Sequence, residues 1–264
     1  MIQTRPLAGR RLVLTRNPEG AGRLAGRLEG LGAEVLQIPL IDVRPDLDRE
    51  AAAEVFREFS SYEWLLFTSR NGVKNFFTAF LKQFTDIRAL GFVRIGVVGK
   101  GTVEALAEFH LRPDLVAPKA TAADLARALA GEQTLDNLKI LVITGNRNRD
   151  DLVRKLSGER AIVDCLQVYS TSYCDLSGNA EAARFRKEGA DAVIFASASA
   201  VEAFGAQARH LTLEKGARVP ALCSFGPTTS AGMKKAGIPV SVEAASPGID
   251  GMVEALVSHF STQP

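Results

Sequence analysis

No apolar run in the 264-residue chain approaches the roughly 18 residues that a membrane-spanning helix needs. Its first twenty positions also lack a hydrophobic stretch followed by a small-residue cleavage site, so the expectation is a cytoplasmic protein with no membrane partner. Cysteine is scarce: Cys165, Cys174 and Cys223 are odd in number and form no C-x-x-C pair, which excludes a disulfide framework and a zinc knuckle. Histidine is equally sparse, and His110, His210 and His259 have no neighbours at metal-ligand spacing, so no metal site is expected. Charge of one sign is missing too. The 32 Lys and Arg against 30 Asp and Glu leave a formal +2, and the one basic concentration, Arg147, Arg149, Arg154 and Lys155, is interrupted by Asp150 and Asp151. That balance argues against a nucleic-acid partner. Familiar catalytic signatures are also absent. Gly99-Lys100 runs into Gly101 without the glycine pattern of a phosphate loop, G-x-G-x-x-G does not close after it, and no G-x-S-x-G elbow occurs.

What the chain does contain is a long-range repeat. Trp64-Leu65-Leu66-Phe67-Thr68-Ser69-Arg70-Asn71-Gly72-Val73 aligns with Ala192-Val193-Ile194-Phe195-Ala196-Ser197-Ala198-Ser199-Ala200-Val201. Phe67, Ser69, Val73 and Phe76 return as Phe195, Ser197, Val201 and Phe204, each 128 residues later (195 − 67). Leu12-Val13-Leu14-Thr15 recurs as Leu141-Val142-Ile143-Thr144, and Gly99-x-x-Thr102 as Gly226-x-x-Thr229. Solenoid units repeat every 20 to 50 residues or so, so this is a duplicated domain. Two similar half-molecules imply an interdomain cleft, a favoured place for a ligand.

Short runs rich in Val, Ile, Leu and Phe alternate with amphipathic helical stretches, the pattern of parallel sheets covered on both faces. Strands are expected at 12–15, 35–38, 64–68, 95–98, 115–117, 140–144, 162–169, 192–196, 221–225 and 240–242. Val73, Phe76, Phe77 and Phe80 fall on one helical stripe, as do Ile249, Met252, Val253, Leu256, Val257 and Phe260, and both stripes read as core. Asn17-Pro18 reads as a helix start. Val35–Pro45 and Val163–Cys174 are extended without a helix and occupy equivalent places in the repeat. They are candidate interdomain connectors, in which case the chain leaves the first domain, builds the second and returns. A tandem division near residue 132 explains the periodicity equally well.

Ligands of open parallel sheets bind beyond the carboxyl ends of the strands. Those ends are Thr15-Arg16-Asn17, Thr68-Ser69-Arg70-Asn71, Gly99-Lys100-Gly101-Thr102, Thr144-Gly145-Asn146-Arg147, Ser197-Ala198-Ser199 and Gly226-Pro227-Thr228-Thr229. All six are small, hydroxylated or glycine-containing, and all lead into helices, whose free N–H groups and dipole favour anions. A single loop of this kind is adequately explained as a helix cap. Six in mirrored positions suggest a ligand with several anionic groups. Tyr169, in Val168-Tyr169-Ser170-Thr171 at the end of the second connector, has two readings. Its phenol is either a proton-sharing group at the mouth of the cleft or a packed ring with its hydroxyl tied to backbone.

Taken in order, several of these motifs resemble the uroporphyrinogen-III synthase family. They are Leu14-Thr15-Arg16, Phe67-Thr68-Ser69-x-Asn71-Gly72-Val73, Val97-Val98-Gly99-x-x-Thr102, Thr144-Gly145-Asn146-x-x-Arg149, Val168-Tyr169, Phe195-x-Ser197-x-Ser199, Gly226-Pro227-Thr228-Thr229 and Ser246-Pro247. The likeness covers nearly the whole chain, although Ala198 stands where a proline is common and Arg70-Asn71 where Pro-Arg can occur.

The resemblance implies two doubly wound, flavodoxin-like α/β domains joined by a two-stranded β ladder. The first domain would comprise 1–38 and 171–264, the second 39–170, with connectors near 36–45 and 165–174. It implies a cofactor-free enzyme that cyclises hydroxymethylbilane, a linear tetrapyrrole with eight carboxylates, with D-ring inversion and loss of water; a monomer is expected. Tyr169 would assist departure of the hydroxyl. Thr15, Arg16, Ser69, Asn71, Gly99, Thr102, Arg149, Ser197, Ser199, Gly226, Thr228 and Thr229 would bind the substrate. Competing readings are a non-catalytic tetrapyrrole or anion sensor on the same scaffold, a sugar-phosphate or nucleotide enzyme, and an extracytoplasmic binding protein. The nucleotide reading lacks a phosphate loop, and the last lacks a signal peptide.

Overall fold

A computed structural model describes residues 5–119, 121–147, 151–246 and 248–261. The chain divides into two compact units, one taking the chain up to Asp42 and again from Ser172, the other being Val43–Thr171. The first contains β1 (Arg11–Leu14), α1 (Pro18–Gly30) and β2 (Glu34–Gln37). After the second unit it resumes with α7 (Ala180–Glu188), β9 (Ala192–Phe195), α8 (Ala198–Ala206), α9 (Ala208–Leu211), β10 (Ala221–Ser224), α10 (Pro227–Lys235), β11 (Val242–Glu243) and α11 (Ile249–Ser261). The second unit runs from β3 (Ile41–Pro45) and α2 (Arg49–Arg57) through β4 (Trp64–Phe67), α3 (Arg70–Phe84), β5 (Arg94–Val97) and α4 (Lys100–Ala107). It continues with β6 (Leu115–Val116), α5 (Ala122–Glu132), β7 (Lys139–Gly145), α6 (Asp151–Gly158) and β8 (Ile162–Tyr173).

The two sheets have the same plan. In the first unit the order is β2-β1-β9-β10-β11, with all registered pairs parallel. In the second it is β8-β7-β4-β5-β6, again parallel, with β3 added outside β8. Taking β1 and β7 as the respective first strands, both sheets read 2-1-3-4-5, the flavodoxin-like order. The second is a circular permutation of the first. The repeat therefore equates β9 with β4 and β10 with β5. The β3 strand runs antiparallel to β8, since Asp46 N–H donates to the Val168 carbonyl and Cys174 N–H to the Leu40 carbonyl, both at 3.1 Å. Both passages of the chain between the units fall within this ladder.

Strand alternation explains why each sheet is covered twice. On β4, Leu65 and Phe67 join a core with Phe56, Phe59, Phe76, Phe77 and Phe80, while Trp64 and Leu66 join another with Leu125, Leu129, Leu152 and Leu156. On β9, Ala192 and Ile194 face Leu24, Leu28, Met252 and Leu256, while Val193 and Phe195 face Phe185, Val201 and Met233. The α3 stripe is fully buried, its rings meeting edge-on or tilted at centroid separations such as 5.2 Å for Phe76–Phe77. One expected strand is displaced. The Val240–Val242 run registers with β10 from Val242, with the Ser241 N–H donating to the Leu222 carbonyl at 2.9 Å, while Val240 packs against the core.

Candidate functional site at the strand ends

In a 2-1-3-4-5 sheet the chain reverses its direction of winding between strands 1 and 3, opening a crevice at their carboxyl ends. In the second unit this switch point lies between β7 and β4. Ser69, just after the β4 run, caps α3: its Oγ accepts the Gly72 N–H at 3.0 Å. The same hydroxyl donates to the Tyr169 Oη at 3.1 Å. Tyr169 belongs to β8, two strands away, so this bond passes over the end of β7.

Two local features make that reach possible. The β7–β8 register slips between Thr144 and Gly145, pairing Thr144 with Gln167 but Gly145 with Tyr169. A bulge re-aims the residue that follows it. Here it turns the consecutive residues Val168 and Tyr169 onto the same face, against the Phe-rich core. The second feature is Gly145 itself. A Cβ at that position would stand 2.5 Å from two ring carbons of Tyr169, so the phenol lies directly on a residue with no side chain. Asn146 clamps the strand just beyond, its Oδ1 accepting the Thr171 N–H at 2.8 Å and its Nδ2 donating to the Thr171 carbonyl at 3.2 Å. The phenol hydroxyl is thus met by a side-chain hydroxyl, not by backbone.

The first unit's switch point, between β1 and β9, is built differently. The Thr15 hydroxyl is buried and donates to the Ile194 carbonyl at 2.8 Å, tying the two strands together beneath the loops. Ser197 caps α8 through the Ala200 N–H, but its second partner is the Ser199 hydroxyl at 3.0 Å. Arg16 and Asn17 follow Thr15, half-buried.

The two glycine loops match each other. Gly99 precedes α4 with φ 78° and Gly226 precedes α10 with φ 149°, backbone that favours glycine, and neither helix has a side-chain cap. The N–H groups of Lys100 and Gly101 on α4, and of Thr228 and Thr229 on α10, are therefore left to solvent or ligand, while the Thr102 N–H bonds to the Gly99 carbonyl at 3.1 Å and Pro227 has no N–H. Thr102 points inward, its hydroxyl donating to the Val98 carbonyl at 2.7 Å, and Thr229 is buried, whereas Thr228 is exposed on the first turn of α10. Asn71 lies in the first turn of α3, and the neighbouring Arg70 lays its guanidinium against Gly101 in the first turn of α4. Arg149 and Pro247 lie outside the described residues. Among the described residues, no His, Cys, Asp or Glu group is arranged to hold a metal ion. Burial pushes the Cys223 thiol up to about 12, making it a poor nucleophile.

From sequence, Ser69 and Tyr169 carry separate tasks and Gly145 carries none. The signal available for Gly145 is a glycine at the last position of a buried strand, which marks a close approach.

The sheet order and strand-end loops define a duplicated, flavodoxin-like α/β protein with helix starts at the carboxyl ends of the strands in both copies. Comparison with known proteins then gives the family. The family model described as "Uroporphyrinogen-III synthase HemD" matches residues 22–254, so the chain belongs to the uroporphyrinogen-III synthase family. It is 31% identical over 253 residues to the porphyrin biosynthesis protein HemD of Ruminiclostridium josui, covering 96% of this chain and 49% of that one. The chain thus spans about half the length of that relative. It is 25% identical to the uroporphyrinogen-III synthase of Synechococcus elongatus, over 95% of this chain and 96% of that one. Among solved structures, a mutant uroporphyrinogen III synthase from Thermus thermophilus has a TM-score of 0.69 at 17% identity, covering 97% of this chain and 100% of that chain. At that identity the likeness bears on the fold.

Proposed function

We propose that the chain acts as a carbon–oxygen lyase, cyclising hydroxymethylbilane to uroporphyrinogen III. The observation that carries this reading is the Tyr169 phenol, presented at a switch point by the Ser69 hydroxyl in a chain of this family. With the Ser69 proton directed onto Oη, the phenol proton is left to face outward. In the proposed reaction an electron-rich pyrrole expels the terminal hydroxyl, which leaves as water with a proton from Tyr169. The freed carbon bonds to the substituted position of ring D, giving a spiro intermediate that reopens with the ring inverted. The phenolate regains a proton when the macrocycle is completed, so only water is lost.

The remaining work is geometric. Thr228, Ser197, Ser199 and the open N–H groups at the starts of α4 and α10 would hold carboxylates. Arg16, Asn71 and Arg149 would add charge and hydrogen bonds to the substrate. Spreading eight carboxylates over several short loops suits a nearly neutral chain better than one basic patch would. The reading also carries a monomer working in the cytoplasm, without nucleic acid as a partner.

The test is to supply freshly generated hydroxymethylbilane, oxidise the products and separate type I from type III porphyrins. An excess of type III over the protein-free control is expected. Type I alone would leave a protein that binds tetrapyrroles without closing them. Tyr169→Phe should lower kcat by roughly 10²-fold, the lower range for general acid catalysis, with a smaller change in KM. An unchanged kcat would remove the phenol from the chemistry.

A further inference from the structure

We infer that Ser69 and Gly145 are positioning residues for the Tyr169 hydroxyl, an inference that rests on the reading of Tyr169 as the proton donor. A serine hydroxyl has one proton and two lone pairs. At Ser69 the Gly72 N–H takes a lone pair and the Tyr169 oxygen takes the proton. A phenol that accepts a hydrogen bond from behind has its own proton free to point forward. Ser69 thereby fixes which way the proton faces as well as where the ring lies.

Internal duplication supplies the comparison. Ser197, the repeat equivalent of Ser69, caps its helix equally well yet bonds to Ser199. The strand registers, in which Leu12 lies beside Ala192 as Ile140 lies beside Trp64, place Asn17 where the second unit has Gly145. This position therefore carries a side chain when no phenol lies over it. Glycine at 145 is explained by the ring that occupies the space of its missing Cβ, and the second hydrogen bond of Ser69 by the hydroxyl that ring carries. The cap, the bulge and the glycine converge on one atom, Tyr169 Oη.

Rates of type III formation in the Ser69→Ala, Tyr169→Phe and double variants test this, because residues acting through one another are not additive. Ser69→Ala should lower kcat by roughly three- to tenfold, the range expected for one hydrogen bond, and should lower it no further in the Tyr169→Phe background. Ser69→Thr, which keeps both cap and donor, should restore the rate. Gly145→Ala should lower kcat through the displaced ring while the KM changes little. An equal loss from Ser69→Ala in both backgrounds would reduce Ser69 to a helix cap and overturn the inference, leaving Tyr169 in place. A wild-type rate in Gly145→Ala would also overturn it. Full activity of Tyr169→Phe alone would instead sink the underlying reading of the phenol.

Discussion

Glu34 on β2 stands between two guanidinium groups, receiving the Arg11 Nε–H at 2.7 Å and facing Arg184 at 2.5 Å. The Arg11 hydrogen bond draws its carboxyl below the ordinary glutamate range; partial burial opposes this, and Arg184 adds to it. A carboxylate whose folded pKa lies below the unfolded value of about 4.3 stabilises the fold above that value and loses the contribution as pH falls through the folded pKa. Glu34→Gln should melt below the parent at pH 7, and the two should converge in thermal scans as the pH falls through the lowered pKa of Glu34. The side chain is 42% exposed, so solvent screening keeps the gap small. At the same scale, the site was legible in part. Tyr169 and Ser69 stand out as a phenol and a hydroxyl at strand ends. Their hydrogen bond does not, because it depends on a bulge that breaks strict alternation at Val168, and alternation is what a sequence reveals.

Elements are where local rules show most directly. Helix α2 begins at Asp48, whose carboxylate accepts the N–H groups of Glu50 at 2.8 Å and Ala51 at 3.2 Å. Asp48→Ala should cost about 1 kcal/mol, the usual worth of an N-cap, read as a lower urea midpoint with an unchanged slope. Most strands were recognisable from apolar runs, because both faces of each sheet are buried and polarity drops on every residue. The β3 strand was visible only as extended chain: its residues are half-exposed or exposed, so no apolar run marks it. The 128-residue offset anticipated which strands correspond, but not the permutation. Sequence periodicity records likeness without recording which strand is first.

For the molecule as a whole, continuity of the chain sets the two units apart. The second is one uninterrupted segment whose two cores are made entirely of its own residues. A fragment of residues 43–171 should therefore fold alone, giving a cooperative melt by circular dichroism and dispersed amide resonances; a non-cooperative melt would contradict this. The first unit needs both of its pieces, since β1 pairs with β9 through Leu12 and Ala192. That pairing has consequences for the order of folding. A chain that had to join β1 to β9 first would close a loop of roughly 180 residues, whereas prior folding of the intervening segment shortens the floating chain to a few tens of residues, an advantage of about 1–2 kcal/mol in closure entropy. During synthesis β1, α1 and β2 emerge before the second unit and wait without β9 while that unit forms behind them. The ladder in which Leu40 meets Cys174 then acts as a clasp, returning the late half of the first unit beside its early half. An insertion so large is compatible with one cooperative sheet because it enters and leaves the unit at neighbouring points.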